Sequence, residues 1–376
     1  MKAKTFLWTV VVLILVALFA GRAWYLHTQK QTEKSEKIVK IGLLLPMSGG
    51  SVDIFGPWSF DSAKIAEDVL NASGLYNFKI KVLLQDGKMT PKGSIDAFNK
   101  LVAEGVKAVL VLGDTPTYAV AQFTKDAKMP TLSVSGMENL QELSPYFFRI
   151  SIKNSYLMPQ LARYATQVKK VRKVAILHIK VPMALKTVEA FIENVKQGGA
   201  TITARESFAE SATEARTQIL KLLDTKPDAL FIFGWNTAYA NAINYAREMG
   251  FSGPILTDLN VDSMLYMIKK KDNIFFATTT FFDATDKYGY VQKFKKGHAG
   301  QEPNGFNAFV YVGVSMLADA VLKSDASPDN ILRELKQTEA LETPFGKTEF
   351  QKNGDILVPF VVKEILPDGS EQIVAE

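Results

Sequence analysis

The sequence of 376 residues contains no cysteine and only three histidines. Without cysteine there can be no disulfide, no thiol catalysis, no cysteine-ligated zinc and no lipid on an N-terminal cysteine. His27, His178 and His298 are far apart and form no metal-ligand motif. The sequence also lacks a Gly-x-Ser-x-Gly motif, a Walker loop and a Gly-x-Gly-x-x-Gly motif. These absences argue against an enzyme, and they predict neither a cofactor nor a metal.

The distribution of charge argues against a nucleic-acid partner. The chain carries 44 Lys and Arg against 39 Asp and Glu, which gives a net charge of +5. The lysines are spread among acidic residues rather than clustered with aromatic ones, as a nucleic-acid surface would require. With 47% hydrophobic and 22% charged residues, a chain of this length is expected to form two α/β lobes.

The N-terminal segment is apolar and has basic and aromatic flanks. Lys2 and Lys4 precede an apolar stretch over residues 6–21, and Arg22 and Trp24 follow it. Basic residues before such a stretch predict that its N-terminus stays inside and that the rest of the chain is exported. We expect residues 1–37 to be an uncleaved anchor helix in the inner membrane plus a polar linker. A signal-peptide cleavage site requires small residues, and Arg22 makes this one a poor match. A cleaved signal, giving a periplasmic or secreted protein, is the alternative.

From residue 38 onward, short apolar runs alternate with amphipathic segments. The apolar runs, expected as strands, are 38–45, 79–85, 108–112, 131–133, 173–178, 201–207 and 229–233. The amphipathic segments, expected as helices, are 60–70, 92–104, 182–198, 212–223 and 238–249. Repeated strand–helix–strand units imply parallel sheets. Ligands bind at the carboxyl ends of such strands, where backbone N–H groups and helix N-termini converge.

Seven short motifs follow one another along this pattern. They are Pro-Met-Ser-Gly at 46–49, Phe-Gly at 55–56, Gln-Asp at 85–86, Met-Pro-Thr-Leu-Ser at 129–133, Tyr-Phe-Phe-Arg at 146–149, Lys-Val-Ala-Ile-Leu at 173–177 and Pro-Asp-Ala-Leu-Phe at 227–231. Together with a closing Phe-Gly…Asn-Gly-Asp element at 345–355, the chain resembles the leucine/isoleucine/valine-binding type of periplasmic binding protein. The resemblance covers nearly all of the chain after residue 37.

The resemblance implies an α/β fold of two Rossmann-like lobes, the type I periplasmic binding fold, after the N-terminal helix. Three strands join the parallel sheets as a hinge, and their crossings are expected near 150–154, 278–282 and 341–346. Lobe 1 would comprise 38–150 plus 282–341, and lobe 2 would comprise 151–281 plus 342–376. Such a hinge closes because the ligand contacts both lobes only in the closed state. An ABC permease is the partner that the resemblance implies.

The resemblance also places an amino-acid site in lobe 1, with changes in this chain. The family's carboxylate-binding serine falls on Asp114, or on Thr115 if one gap is allowed. An Asp there would repel a carboxylate, and its alternative role is to cap the following helix. A second carboxylate element reads Ser135-Gly136-Met137 here, and Met137, unlike the family's threonine, cannot donate a hydrogen bond.

In lobe 2, the resemblance implies that this chain keeps one aromatic residue and one acidic residue of the family's ligand site. The family's Tyr-Gly becomes Met183-Ala184, and its Gly-Tyr becomes Gly234-Trp235. Asp258 falls near the family's ammonium-binding acid, although a strand-end Asp is about as often a helix cap.

The predicted ligand site comprises Phe55, Trp58, Asp114, Thr115, Ser135, Gly136, Met137, Met183, Trp235 and Asp258. Because lobe 1 has lost carboxylate donors, we expect an apolar or aromatic small molecule, such as an aromatic compound or an amine that Asp114 or Asp258 could pair with, more than a free amino acid. The alternative for Phe55, Trp58 and Met183 is simple packing. The alternative function is a membrane-anchored sensory or regulatory protein of the same fold, which acts through protein contacts and has a degenerate cleft. An enzyme would need a carboxylate site such as Asp114 with Asp258.

Overall fold

The computed structural model describes residue 22 and residues 37–48, 55–137, 140–281, 285–338, 341–351 and 353–375. Within these ranges it describes the backbone but not the side chains of Phe55, Pro182, Met183 and Ser263. The predicted anchor or signal helix at 6–21 therefore lies outside the described residues.

The first sheet has five strands in the order β2-β1-β3-β4-β5. They are β1 Ile38–Leu45, β2 Lys79–Asp86, β3 Ala108–Leu112, β4 Thr131–Val134 and β5 Phe147–Arg149. The helices between them are α1 Phe55–Ala72, α2 Pro91–Ala103, α3 Asp114–Asp126 and the single turn α4 Leu140–Leu143. Strands β1, β3, β4 and β5 are parallel. Every residue of β3 and β4 is buried, as expected for central strands covered on both faces.

The second sheet has seven strands in the order β15-β14-β10-β9-β8-β6-β7. They are β6 Lys173–Ile179, β7 Thr201–Phe208, β8 Ala229–Phe233, β9 Ile255–Asp258, β10 Ile274–Thr279, β14 Phe360–Ile365 and β15 Glu371–Ala375. Its helices are α5 Asn154–Arg163, α6 Pro182–Gln197, α7 Arg216–Asp224, α8 Thr237–Glu248 and the short α9 Val261–Met264. Strands β6 to β10 are parallel, whereas β14 and β15 join as antiparallel strands.

The described residues between β10 and β14 form three helices and a small sheet. They are α10 Tyr290–Gly297, α11 Gly305–Leu322 and α12 Pro328–Lys336, followed by β11 Leu341–Thr343, β12 Gly346–Phe350 and β13 Ile356–Leu357. Among the described residues, α11 is the one helix long and apolar enough to cross a membrane by length and composition. It is largely buried and packs on α1, β3 and β4, which accounts for its composition as that of a core helix.

The small antiparallel sheet of β11, β12 and β13 packs against elements of the first sheet. The Phe350 ring lies 5.2 Å from that of Phe148, and the Phe345 ring lies 4.6 Å from that of Phe309 on α11. The chain joins the second sheet again only with β14. The predicted lobe boundaries, including the last one between 341 and 342, stay predictions.

The predicted α/β class and the parallel sheets are confirmed, while two helices begin elsewhere than predicted. Helix α1 begins at 55 rather than 60, and a Cβ at Gly56 would lie 1.9 Å from the Pro46 carbonyl oxygen, so glycine permits this close approach. Helix α7 begins at 216 rather than 212. The carbonyl groups of Ala212 and Thr213 instead accept hydrogen bonds from the side chains of Asn236 and Asn241.

Candidate functional site

The loop after β1 is held in place by Asp86, the last residue of β2. Its Oδ1 accepts hydrogen bonds from the N–H groups of Met47, Ser48 and Lys88 at 3.0, 3.3 and 2.8 Å, and its Oδ2 accepts one from the Ser48 hydroxyl at 2.5 Å. Burial alone would raise the pKa of Asp86, but these hydrogen bonds lower it below its ordinary value. The Gln-Asp motif thus fixes a loop at the carboxyl edge of the first sheet.

Asp114 is the first residue of α3, directly after β3, and it binds to the loop that follows β4. Its Oδ1 accepts hydrogen bonds from Ser135 Oγ at 2.5 Å and from the N–H of Gly136 at 3.1 Å. Ser135 Oγ also accepts the N–H of Met137 at 3.2 Å, while it donates its single proton to Asp114. Burial raises the pKa of Asp114, although the Ser135 hydrogen bond, the charge of Arg149 and the Gly136 N–H oppose the rise.

The structure therefore brings Asp114, Ser135, Gly136 and Met137 together, and Thr115 follows in the first turn of α3. The alternative role of Asp114 as a helix cap is wrong. The N-cap of α3 is Gly113, which has φ of 104° and makes no side-chain capping hydrogen bond. The Asp114 carboxylate still lies at the positive end of the helix dipole, where a negative charge is favoured.

Trp58 packs between α1 and α10. Its ring meets those of Phe294 and His298 edge to face, with centroids 5.8 and 5.1 Å away. His298 Nε2 in turn lies 3.2 Å from Asp61 Oδ2. These contacts favour the alternative interpretation of Trp58 as a packing residue. The side chains of Phe55 and Met183 lie outside the described residues, so their assignment to the site stays a prediction.

Trp235 follows β8 and is half-buried. Its ring meets that of Phe233 edge to face at 6.0 Å. The next residue, Asn236, caps α8 by accepting the N–H of Tyr239 at 3.1 Å, and its amide donates to the Glu210 carbonyl at 2.8 Å. This cap fixes the backbone that carries Trp235 at the carboxyl end of a central strand.

Asp258 ends β9 and is fully buried, with 0% of its surface exposed. The Asn260 amide donates to Oδ2 at 2.6 Å, whereas Oδ1 has no hydrogen-bond partner among the described residues. Burial raises the pKa of Asp258 to about 8, against the effect of its hydrogen bonds with Asn260. The N-cap of the following helix α9 is Asn260, so the alternative of Asp258 as a helix cap is wrong.

The sequence profile of a family described as "Periplasmic binding protein" matches residues 38–362. This chain belongs to the periplasmic binding protein family. The family binds solutes without transforming them, and it places the protein outside the cytoplasm.

Individual relatives agree with this assignment. Leu/Ile/Val-binding protein homolog 3 of Brucella melitensis is 23% identical over 341 residues, covering 85% of this chain and 89% of the relative. LivJ, the branched-chain amino acid transporter substrate binding protein of Streptococcus pneumoniae, solved with isoleucine, matches with a TM-score of 0.82 at 21% identity, covering 90% of this chain and 100% of that one. An ABC transporter solute binding protein of Rhodopseudomonas palustris, solved with 3,4-dihydroxybenzoic acid, matches with a TM-score of 0.77 at 20% identity, covering 91% and 99%.

In this periplasmic binding protein, the chain leaving β5 adds contacts that sequence reasoning missed. Ser151 Oγ donates to the Ser135 carbonyl at 2.7 Å and accepts the Ser135 N–H at 2.9 Å. Asn154, at the start of α5, lies so close to Gly136 that a Cβ there would be 2.6 Å from its Nδ2. The loop carrying Ser135 and Gly136 is thus fixed against the predicted first hinge crossing.

Two cations, Arg149 and Lys153, pair with the buried carboxylate of Asp355 in this region. Arg149, 1% exposed, donates from Nε to Asp355 Oδ1 at 2.8 Å and from Nη1 to the Ser135 carbonyl at 2.5 Å. Lys153 Nζ lies 2.8 Å from Asp355 Oδ2. Burial would raise the pKa of Asp355, but the hydrogen bonds from Lys153 and Arg149 hold it below its ordinary value. Arg149 belongs to the Tyr-Phe-Phe-Arg motif and Asp355 to the Asn-Gly-Asp motif. Neither motif indicated that the two residues pair.

Proposed function

We propose that this periplasmic binding protein binds a small solute between its two lobes and delivers it to an ABC permease. The solute has an apolar or aromatic body and can carry an amine. The half-buried ring of Trp235 at the carboxyl end of β8 is the observation that carries the proposal. A rigidly held, partly exposed indole at a central strand end can form the aromatic wall of a solute site.

Asp258 supplies the group that would pair with an amine on that solute. Its Oδ1 is buried without a hydrogen-bond partner among the described residues, and a buried oxygen of this kind is costly unless a ligand or water satisfies it. A cationic amine both satisfies the oxygen and favours its ionised form. The predicted contributions of Phe55 and Met183 to the wall, and of Thr115 and Met137 to the ligand site, belong to the same proposal.

The ligands of the two structural neighbours described above are both small organic molecules. LivJ was solved with isoleucine, and the Rhodopseudomonas protein with 3,4-dihydroxybenzoic acid. Isoleucine has a branched apolar side chain, and 3,4-dihydroxybenzoic acid has an aromatic ring. Both ligands support an apolar or aromatic solute for this chain.

A thermal-shift screen of residues 38–376 against amino acids, aromatic acids and amines tests the proposal, because a ligand that binds only the folded state raises Tm. In this range the tryptophans are Trp58 and Trp235 alone. The variant Trp58→Phe keeps an aromatic ring between α1 and α10, and leaves Trp235 as the single fluorophore. A hit should change its fluorescence, and Trp235→Ala should weaken binding by about tenfold or more.

Two results would count against this proposal. A ligand that raises Tm without changing the Trp235 fluorescence, and that Trp235→Ala binds normally, would contradict the placing of the site. No shift across the library would favour the sensory or regulatory alternative.

We also propose that residues 1–37 remain attached and hold the protein at the inner membrane. The support is the sequence alone: the apolar stretch at 6–21, its basic start and Arg22 at the cleavage position. Cell fractionation and N-terminal sequencing of the full-length protein test this. A soluble periplasmic product that begins after residue 21 would contradict it.

A further inference from the structure

Two hydrogen-bond donors and a helix N-terminus converge beside β4. The Ser135 hydroxyl and the Gly136 N–H point at one oxygen, and α3, a helix of 13 residues, begins at the same place. Aligned backbone dipoles and converging hydrogen-bond donors of this kind favour a negative charge. The group that occupies this position is the Asp114 carboxylate, which belongs to the protein itself.

We infer that Asp114 determines ligand specificity by filling this anion position, so that the protein takes amines or neutral aromatic compounds and rejects ligands that present a carboxylate there. This inference rests on the proposed solute-binding function and narrows its ligand class. Isoleucine and 3,4-dihydroxybenzoic acid, the ligands of the neighbours described above, each carry a carboxyl group, so the inference predicts a departure from them.

The donors at this position cannot serve two carboxylates. Ser135 Oγ has one proton, and it donates that proton to Asp114 Oδ1, because an ionised carboxylate can only accept. The Gly136 N–H is likewise given to Asp114. A ligand carboxylate would therefore find no free donor on these two groups, and it would meet a like charge at short range.

The balance of charge in the region points the same way. Arg149 and Lys153 are both paired with Asp355, and the charge of Arg149 also acts on Asp114. Two cations and two carboxylates leave this cluster neutral when all four groups are ionised. Replacing Asp114 by a neutral residue would leave one net positive charge beside two free donors, which is a setting that favours a carboxylate.

A second acid on the other sheet is an independent observation. Asp258 is fully buried and its Oδ1 has no hydrogen-bond partner among the described residues. A ligand with an ammonium group or another donor would satisfy this oxygen, and an ammonium group would also favour the ionised form of Asp258. Both acids thus favour the same class of ligand.

The first test follows the Gly136 amide in full-length protein labelled with [15N]glycine, with acetate as the probe. The chain has 24 glycines, and the loss of one signal in Gly136→Ala assigns the resonance. In Asp114→Ser, acetate should shift the Gly136 signal because the donors are free. In the wild type and in the control Asp126→Ser, at the exposed far end of α3, acetate should leave it unchanged. A Gly136 shift in the wild type would overturn the inference even if the variant did not fold, and so would a folded Asp114→Ser variant whose Gly136 signal ignored acetate.

The second test measures the affinity of paired ligands that differ in one group: phenylalanine and phenethylamine, leucine and isoamylamine, benzoate and benzylamine. The wild type should prefer the amine of each pair, and Asp114→Ser should gain about tenfold or more in affinity for the carboxylate member. Carboxylates that bind the wild type as tightly as they bind Asp114→Ser would overturn the inference and leave the solute-binding proposal standing. If no ligand bound either protein while acetate still bound Asp114→Ser at Gly136, the solute-binding proposal would fail but the occupied anion position would be confirmed.

Discussion

Burial of Asp258 predicts that the protein loses stability as the pH rises. Its pKa is about 8 in the folded protein, against an ordinary value of 3.8. The folded state therefore holds this proton more tightly than the unfolded state does. Between these two values the folded form must keep the proton or bury an uncompensated charge, so the free energy of unfolding falls as the pH increases.

The magnitude follows from the size of the shift. One pKa unit corresponds to about 1.4 kcal/mol, so Asp258 alone should reduce the free energy of unfolding by about that amount for each pH unit between about 4 and about 8. Over the whole range the effect is on the order of 5 kcal/mol. Above the folded-state pKa the loss is complete and the curve becomes flat.

The variant Asp258→Asn isolates this effect, because an amide has nearly the same shape but no charge. Its oxygen can still accept the hydrogen bond that Asn260 gives to Oδ2 at 2.6 Å. Urea unfolding of the wild type and the variant should show similar stability near pH 4, and an increasing advantage for the variant up to about pH 8. The control is Asp126→Asn, which removes an exposed carboxylate at the end of α3. A difference between Asp258→Asn and the wild type that stayed constant with pH would refute the reasoning.

Three further results are expected. As the pH increases toward about 8, the affinity for amines should rise by up to about tenfold per pH unit, because Asp258 must lose a proton to pair with a cation. Calorimetry in buffers of different ionisation enthalpy would detect the released proton. Binding without proton release would remove Asp258 from the site. Asp355→Ala should cost about 3–5 kcal/mol in urea unfolding, since it leaves Arg149 buried without its carboxylate; a cost below about 1 kcal/mol would contradict a buried pair. Gly136→Ala should cost about 1–3 kcal/mol, because its Cβ would lie 2.6 Å from Asn154 Nδ2; an unchanged Tm would show that Asn154 moves aside freely.

Local patterns predicted the parallel part of the fold well. The predicted strands 108–112 and 229–233 agree with the observed bounds of β3 and β8, because central parallel strands are short runs of buried apolar residues. The antiparallel addition of β14 and β15 to the second sheet was not predicted. Strand pairing between distant segments leaves no trace in the periodicity of either one.

The structure shows connections between the candidate site residues that the sequence did not indicate. Asp114, Ser135 and Gly136 were expected at the ends of neighbouring strands, but their hydrogen bonds depend on the register of β3 and β4. Arg149 and Asp355 are separated by 206 positions in the chain, and nothing in the local sequence of either one indicates the pair. Contacts separate the two tryptophans, since Trp58 and Trp235 look alike in sequence and are both half-buried.

The two acids of the candidate site differ in how the protein compensates for them, and the difference suggests separate roles. Asp114 Oδ1 accepts two hydrogen bonds at a helix N-terminus near the charge of Arg149, and these contacts oppose the rise in pKa that burial causes. Asp258 has one oxygen without a partner among the described residues and a pKa raised to about 8 by burial. A group that is already satisfied can exclude a ligand carboxylate at little cost. A group that is not satisfied gains from a ligand, so selection against acids is expected at Asp114 and attraction of amines at Asp258.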